Sequence, residues 1–203
     1  MEILNLFPVE VFVFNNPKIN NYELVGKLER MTNAPVKKNT NISVLAELHK
    51  DPEFRELFDW FCECLEEIRV TMKYDCDRIE IVNSWFNVAI GRESMYQNYH
   101  RHSMSMFSGV YYATDGAPTL FEDPVTQRAF AQLEVLRHEY NSSITSDAVP
   151  GKLIVFPSWM FHSSPTHFGQ LDRFIISFNS FPSGKVNHNL ATDSKVTITV
   201  SDD

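Results

Sequence analysis

His100-Arg101-His102 is the tripeptide in this chain with the clearest capacity for chemistry. Residues two apart on a strand point to the same face. Both imidazoles can therefore aim at one point while Arg101 turns away. His162, in the stretch FPSWMFH, lies sixty residues beyond His102 and opens a strand after the turn-prone Pro157-Ser158. Two ligands from one strand and a third from a distant strand is how a double-stranded β-helix assembles a metal centre. Neutral imidazole suits iron, zinc, copper or nickel without a large desolvation penalty. The chemistry expected of such a centre is metal-dependent oxygenation. A single histidine is more often an ordinary polar residue; it is the company of His162, with a basic residue close behind it, that favours a site. His49, His138, His167 and His188 have no such setting and read as structural or solvent-facing.

Arg173, in LDRFIISFN, follows His162 by eleven residues across a turn around Gly169. Adjacent antiparallel strands would bring both into one barrel mouth. A buried guanidinium needs an anion, and its fork matches a carboxylate bidentately. The plainer reading pairs Arg173 with Asp172 at the surface. Ser177 and the pair Tyr111-Tyr112 add polar groups to apolar strands and favour a carboxylate anchor. Tyr111 and Tyr112 must point to opposite faces, so only one can look into the barrel.

These residues need strands to hold them, and the pattern supplies them. From Arg78 onward the hydrophobic period is two, with strands expected near 78–90, 97–113, 118–122, 152–157, 160–166, 172–180 and 195–200. Gly91, Asp115-Gly116, Pro150-Gly151, Phe168-Gly169 and Pro182-Ser183-Gly184 punctuate them. Residues 124–149 form a long insertion of the kind that often covers or shapes a substrate site. Before the strands, residues 3–14 alternate like an N-terminal strand, 20–31 read as a short amphipathic helix and 32–42 as a loop. A stronger helix begins near Asp51, an N-cap followed by Pro52 and Glu53. Its stripe of Phe54, Leu57, Phe58, Phe61, Cys64, Leu65 and Ile68 follows the i, i+3, i+4 rule and reads as core packing against a sheet. The expected fold is α+β: a double-stranded β-helix (a jelly-roll or cupin-like barrel) with N-terminal helices packed on one sheet. One domain spans 1–203, with the strand and helices in 1–77 and the barrel in 78–200.

Bulk properties agree with one core: 203 residues, 43% of them hydrophobic, with 16 Phe and 7 Tyr of the sort that sheets favour. No apolar run approaches a membrane span, and no basic-then-apolar signal opens the chain. The net charge of −8 disfavours broad contact with a phosphate backbone. Cys62, Cys64 and Cys76 lack finger-like spacing, read as buried free thiols, and point to a reducing, cytoplasmic setting.

The segments WFNVAIG, HRHSMSMFSGVYY, FEDP, GKLIVFPSWMFH and RFIISFN, in that order, resemble the 2-oxoglutarate–Fe(II) oxygenases of cyanophages and marine bacteria, relatives of the prolyl hydroxylase branch. The opening ILNLFPVEVFVF is similar too, so the likeness covers most of residues 3–180. The resemblance implies that His100 and His162 are iron ligands and that Arg173 grips the distal carboxylate of 2-oxoglutarate. Tyr112 would assist that grip, and Asn87 would contact the co-substrate. Ser108-Gly109 resemble strand residues kept for packing. A phage-encoded relative would work in the host cytoplasm. The wider superfamily places a carboxylate two residues after the first histidine; here that position is His102. Strand geometry makes His102 the third ligand, with water or a nearby acid such as Asp123 as its replacement otherwise.

The expected activity is a dioxygenase using Fe(II), 2-oxoglutarate and O2 to hydroxylate an unidentified substrate, releasing succinate and CO2. A small metabolite or peptide fits the charge better than long nucleic acid. The alternatives are a non-catalytic metal- or ligand-binding barrel and a three-histidine iron dioxygenase that uses no 2-oxoglutarate. Arg173 with Tyr112 argues against the latter, which needs no dicarboxylate anchor.

Overall fold

A computed structural model describes residues 8–16, 18–32, 42–45, 47–124, 143–189 and 194–201. Eleven strands and two α-helices occur among them: β1 (Phe12–Asn15), α1 (Asn21–Met31), β2 (Ile42–Leu45), α2 (Arg55–Met72), β3 (Cys76–Ala89), β4 (Met95–His100), β5 (Phe107–Tyr112), β6 (Gly116–Glu122), β7 (Ser143–Ala148), β8 (Lys152–Pro157), β9 (His162–His167), β10 (Arg173–Val186) and β11 (Val196–Ile198). The major sheet runs β1-β8-β5-β10-β3-β2, with β11 also paired to β10; the minor sheet runs β4-β9-β6-β7. Strand pairs in both are antiparallel. This is the double-stranded β-helix expected, built as two facing sheets that do not close into a barrel among the described residues.

The helices cover the outer face of the major sheet. Asn20 caps α1 by accepting from the Glu23 N–H, and Asp51 accepts from the Glu53 N–H at 2.9 Å, opening a 3-10 turn that leads into α2. All seven residues of the anticipated stripe, Phe54 to Ile68, are buried. Each is worth about 1.5–3 kcal/mol as an upper bound. They pack with Phe107 and Tyr111 of β5, Leu153 and Val155 of β8, and Phe174, Ile176 and Phe178 of β10. The alternate residues Val110, Tyr112, Ile154, Phe156 and Ile175 turn the other way and meet Phe121 of the minor sheet. Period two thus divides each central strand between a helix-facing core and an interior that faces the second sheet.

Several expectations need correction. The strand expected over 97–113 is two strands: residues 101–106 leave the ladder, and Met104 there has φ 52°. β7 occupies the end of the stretch read as an insertion, pairing with β6, and β2 follows the supposed loop. Residues 125–142, with His138, and residues 3–7 of the supposed first strand lie outside the described residues. Cys64 and Cys76 are buried free thiols, but Cys62 is exposed on α2. Burial pushes the Cys64 thiol up to about 12, which makes it inert at neutral pH. No described helix is long and apolar enough to cross a membrane.

Candidate metal and diacid site

β10 and β3 form the floor of the site. Arg173, Ile175, Ser177 and Asn179 of β10, and Asn83, Trp85 and Asn87 of β3, line one cavity of about 340 Å³ between the sheets. The minor sheet supplies Gln97 and His100 from β4 and His162 and Ser164 from β9; His102 enters from the segment after β4. His100 and His162 are direct cross-strand partners, which puts their rings 4.3 Å apart, centre to centre. His102 stands 5.1 Å from His100 and 5.3 Å from His162. One nitrogen from each lies within 4.8 Å of the others, so the three could hold a metal ion. No carboxylate among the described residues joins them, Asp123 included.

The expected convergence is therefore present, but not by the expected route. His102 is off the strand, and its position depends on tertiary contacts. Its backbone N–H donates to Ser158 O at 2.9 Å. The Ser158 hydroxyl bonds those of Ser105 (2.7 Å) and Ser108 (2.9 Å), tying this segment to the floor. Trp85 flanks the His102 ring at 5.4 Å, and Phe156 packs against His162 at 4.7 Å.

Hydrogen bonds select the tautomers. Nδ1 of His100 donates to Asn98 O at 2.7 Å, and Nδ1 of His162 to Met160 O at 3.0 Å. A carbonyl only accepts, so Nδ1 is the donor in each ring and Nε2 is the nitrogen left to face a ligand. Burial lowers the His162 pKa to about 3, against a smaller raising effect from the Met160 carbonyl. Burial, and then the neighbouring His100, lower that of His102 to about 4. Both are neutral, ligand-competent imidazoles at pH 7.

Arg173 sits at the other end of the floor, 0% exposed, and Nε, Nη1 and Nη2 are all buried without a hydrogen-bond partner among the described residues. Asp172 does not pair with it; that carboxylate accepts from Gly91 N–H at 2.8 Å. Burial lowers the Arg173 pKa to about 10, which still leaves it cationic at neutral pH. Such a cation is costly unless an anion completes it. Its guanidinium carbon lies 5.9 Å from the Tyr112 ring. Of the tyrosine pair, it is Tyr112 that faces the interior, donating from its hydroxyl to Thr119 Oγ1 at 2.6 Å, with Thr119 on the cavity wall. Tyr111 faces the helices and donates to Asn21. Asn87 and Ser177 line the cavity between the two ends, and Asn87 accepts from the Trp85 indole at 3.0 Å.

Asn83, Trp85, Gln97, Thr119, Ser164 and Asn179 were not singled out from the sequence. The signal was there: polar side chains on one face of apolar strands, Asn83 and Asn87 on one and Arg173, Ser177 and Asn179 on the other, mark a wet inner face. Of the remaining described histidines, His49 bonds Ser84, His167 is buried with Nε2 donating to Leu171 O, and His188 bonds Val196 O.

The family model described as "Putative 2OG-Fe(II) oxygenase" matches residues 83–179. No curated protein sequence matches the chain significantly. Among solved structures, a Pseudomonas putida prolyl-4-hydroxylase superposes with a TM-score of 0.59 at 13% identity, over 87% of this chain and 94% of that one. The epimerase SnoN of nogalamycin biosynthesis, in complex with Fe3+, alpha ketoglutarate and nogalamycin RO, gives 0.64 at 9% identity, over 86% and 80%. HygX from Streptomyces hygroscopicus, with nickel, 2-oxoglutarate and hygromycin B bound, gives 0.60 at 10% identity, over 86% and 83%. At these identities the likenesses show the fold, while the family match rests on the stretch that carries the three histidines, Tyr112 and Arg173. Residues 83–179 belong to the 2OG-Fe(II) oxygenase family.

Proposed function

We propose that this chain is an Fe(II)- and 2-oxoglutarate-dependent dioxygenase that hydroxylates a primary substrate and releases succinate and CO2. The observation that carries the reading is the buried, unpartnered guanidinium of Arg173 in the same cavity as three converging imidazoles. An all-imidazole donor set alone would equally suit an iron dioxygenase without a diacid; Arg173 favours 2-oxoglutarate. The ligands in the SnoN and HygX complexes support the same assignment.

His100, His102 and His162 would hold the iron, and His102 and His162 are presented neutral, so that neither must lose a proton before the metal arrives. Arg173 takes the distal carboxylate of 2-oxoglutarate through its free N–H groups. Tyr112 donates its own proton to Thr119 Oγ1, which leaves the Thr119 hydroxyl, on the cavity wall, its own proton to donate to that carboxylate if it reaches it. Asn87 and Ser177 offer polar contacts along the body of the diacid, and Val110, Phe156 and Ile175 keep water from it. Bound iron with 2-oxoglutarate and O2 supplies oxidative decarboxylation coupled to oxidation of a C–H bond. The three imidazoles add no negative charge to offset the metal, so its redox poise and metal preference differ from those of a site with a carboxylate ligand.

The test is anaerobic addition of Fe(II) and 2-oxoglutarate to the folded protein. A visible charge-transfer band from the chelate is expected; a colourless mixture with the protein still folded would sink the assignment.

A further inference from the structure

The cavity also takes in polar residues other than Arg173 and the histidines, and at the Asn179 end of its β10 floor they form a donor–acceptor pattern of their own. Asn83 of β3 and Asn179 of β10 are directly opposed in register, and Ser108 of β5 is opposed to Asn179 on its other side. The three make a polar row across three strands, roughly 20 Å along β10 from Arg173. A β-bulge sets this row. Ile79 and Ile81 pack toward the helices, whereas Asn83 lines the cavity with Trp85 and Asn87; the alternation changes phase where the β10 register slips between Asn179 and Ser180. Bulges re-aim side chains in this way beside functional sites.

The Ser108 hydroxyl donates to Asn179 Oδ1 at 2.7 Å, which orients that amide and turns its N–H2 to the other side as the donor to be used. Asn83 Oδ1 is buried and has no partner. Beside the amide N–H2 donors of Asn179 and Asn83, the row therefore presents one acceptor, Asn83 Oδ1, that has no partner among the described residues. Around it the lining is neutral: Trp85, Gln97 and Ser164, with Arg173 the one lysine, arginine or acid that lines the cavity among the described residues.

Building on the oxygenase reading above, we propose that this row is the recognition subsite for the primary substrate, and that it selects an uncharged amide. The C=O of an amide accepts from Asn179, and its N–H donates to Asn83 Oδ1. A carboxylate has only acceptors and would leave Asn83 Oδ1 facing like charge. An ammonium has only donors and would strand the Asn179 N–H2. Trp85, two residues from Asn83 on the cavity face of β3 and 5.4 Å from the His102 ring, gives an aromatic wall against which the amide's neighbouring atoms would lie.

The experiment uses the full chain loaded anaerobically with Fe(II) and 2-oxoglutarate, titrated with benzamide, benzoate and benzylammonium, following perturbation of the charge-transfer band. Benzamide is expected to act at a concentration about tenfold below the other two, the cost of leaving one buried group unpaired. In Asn83→Asp, which keeps the shape and adds charge, the preference should move to benzylammonium. In Asn83→Ser the benzamide preference should fall about tenfold, which serves if the aspartate variant does not fold. Equal response to the three probes in the wild type, or a benzamide preference that survives both variants, overturns the subsite. A wild type that never shows the band fails earlier, at the oxygenase reading itself.

Discussion

Arg173 is the residue at which function and stability pull in opposite directions. Its three buried, unpartnered nitrogens make it a burden on the ligand-free protein. Arg173→Met, which fills the space without the charge, is expected to raise the thermal midpoint of the metal-free, ligand-free chain by several degrees. Arg173→Ala should weaken the charge-transfer band at low 2-oxoglutarate, with apparent affinity down by about a hundredfold, while bound iron stays constant. Loss of iron instead would make Arg173 a structural residue. His102 carries the other residue-scale prediction. His102→Ala should lower iron affinity by more than the roughly 10–100-fold that removal of an outer partner costs; unchanged affinity by metal titration would remove it from the coordination shell. His102 also marks the limit of strand reasoning. A spacing of two correctly brought its ring toward that of His100, yet the backbone leaves the ladder at residue 101, and it is Ser158 that holds it.

At the scale of elements, β5 and β10 hold the two ends of the site in line, and their contact is tight at one point. A side chain added at Gly109 would run into the Phe178 ring, which leads the helix-facing core at that level of the sheet. Gly109→Ala is expected to cost about 1–3 kcal/mol by denaturant melt. It should also disturb the neighbouring Ser108–Ser158 contact, and with it the segment bearing His102. An alanine variant of wild-type stability would mean that Phe178 has room to move. α2 was fully legible, because its seven-residue stripe repeats a local rule. β7 and β2 were not: short strands with weak alternation exist only because β6 and β3 offer an edge to pair with.

For the whole molecule, the histidines tie stability to pH. His102 and His162 have folded pKa values below the ordinary 6.5, mainly through burial. The unfolded chain therefore takes up protons first as the pH falls. Their contribution to stability is complete above about 6.5 and is lost progressively toward pH 4 and then 3. The metal-free protein should show a thermal midpoint that drops over this interval, and His162→Gln should flatten the slope. A midpoint independent of pH between 6.5 and 4 would mean that the rings are solvated in the metal-free state. The same two-sheet frame explains why one cavity can serve both a diacid and a metal. The major sheet supplies the cation and the polar floor, the minor sheet supplies two imidazoles, and neither sheet carries a complete site.

The sequence by itself determined the local features: the amphipathic helix from Asp51, the period-two strands, the identity of the three histidines and of Arg173, and the family they resemble. These follow from repeats and spacings of a few residues, which act before the chain is folded. Tertiary structure alone decided which tyrosine faces inward, that Arg173 has no hydrogen-bond partner among the described residues, how His102 is held, and that Asn83 meets Asn179. Each of those depends on contacts between segments far apart in the chain; for the strand-borne residues, a shift of one residue in register would send the side chain to the opposite face.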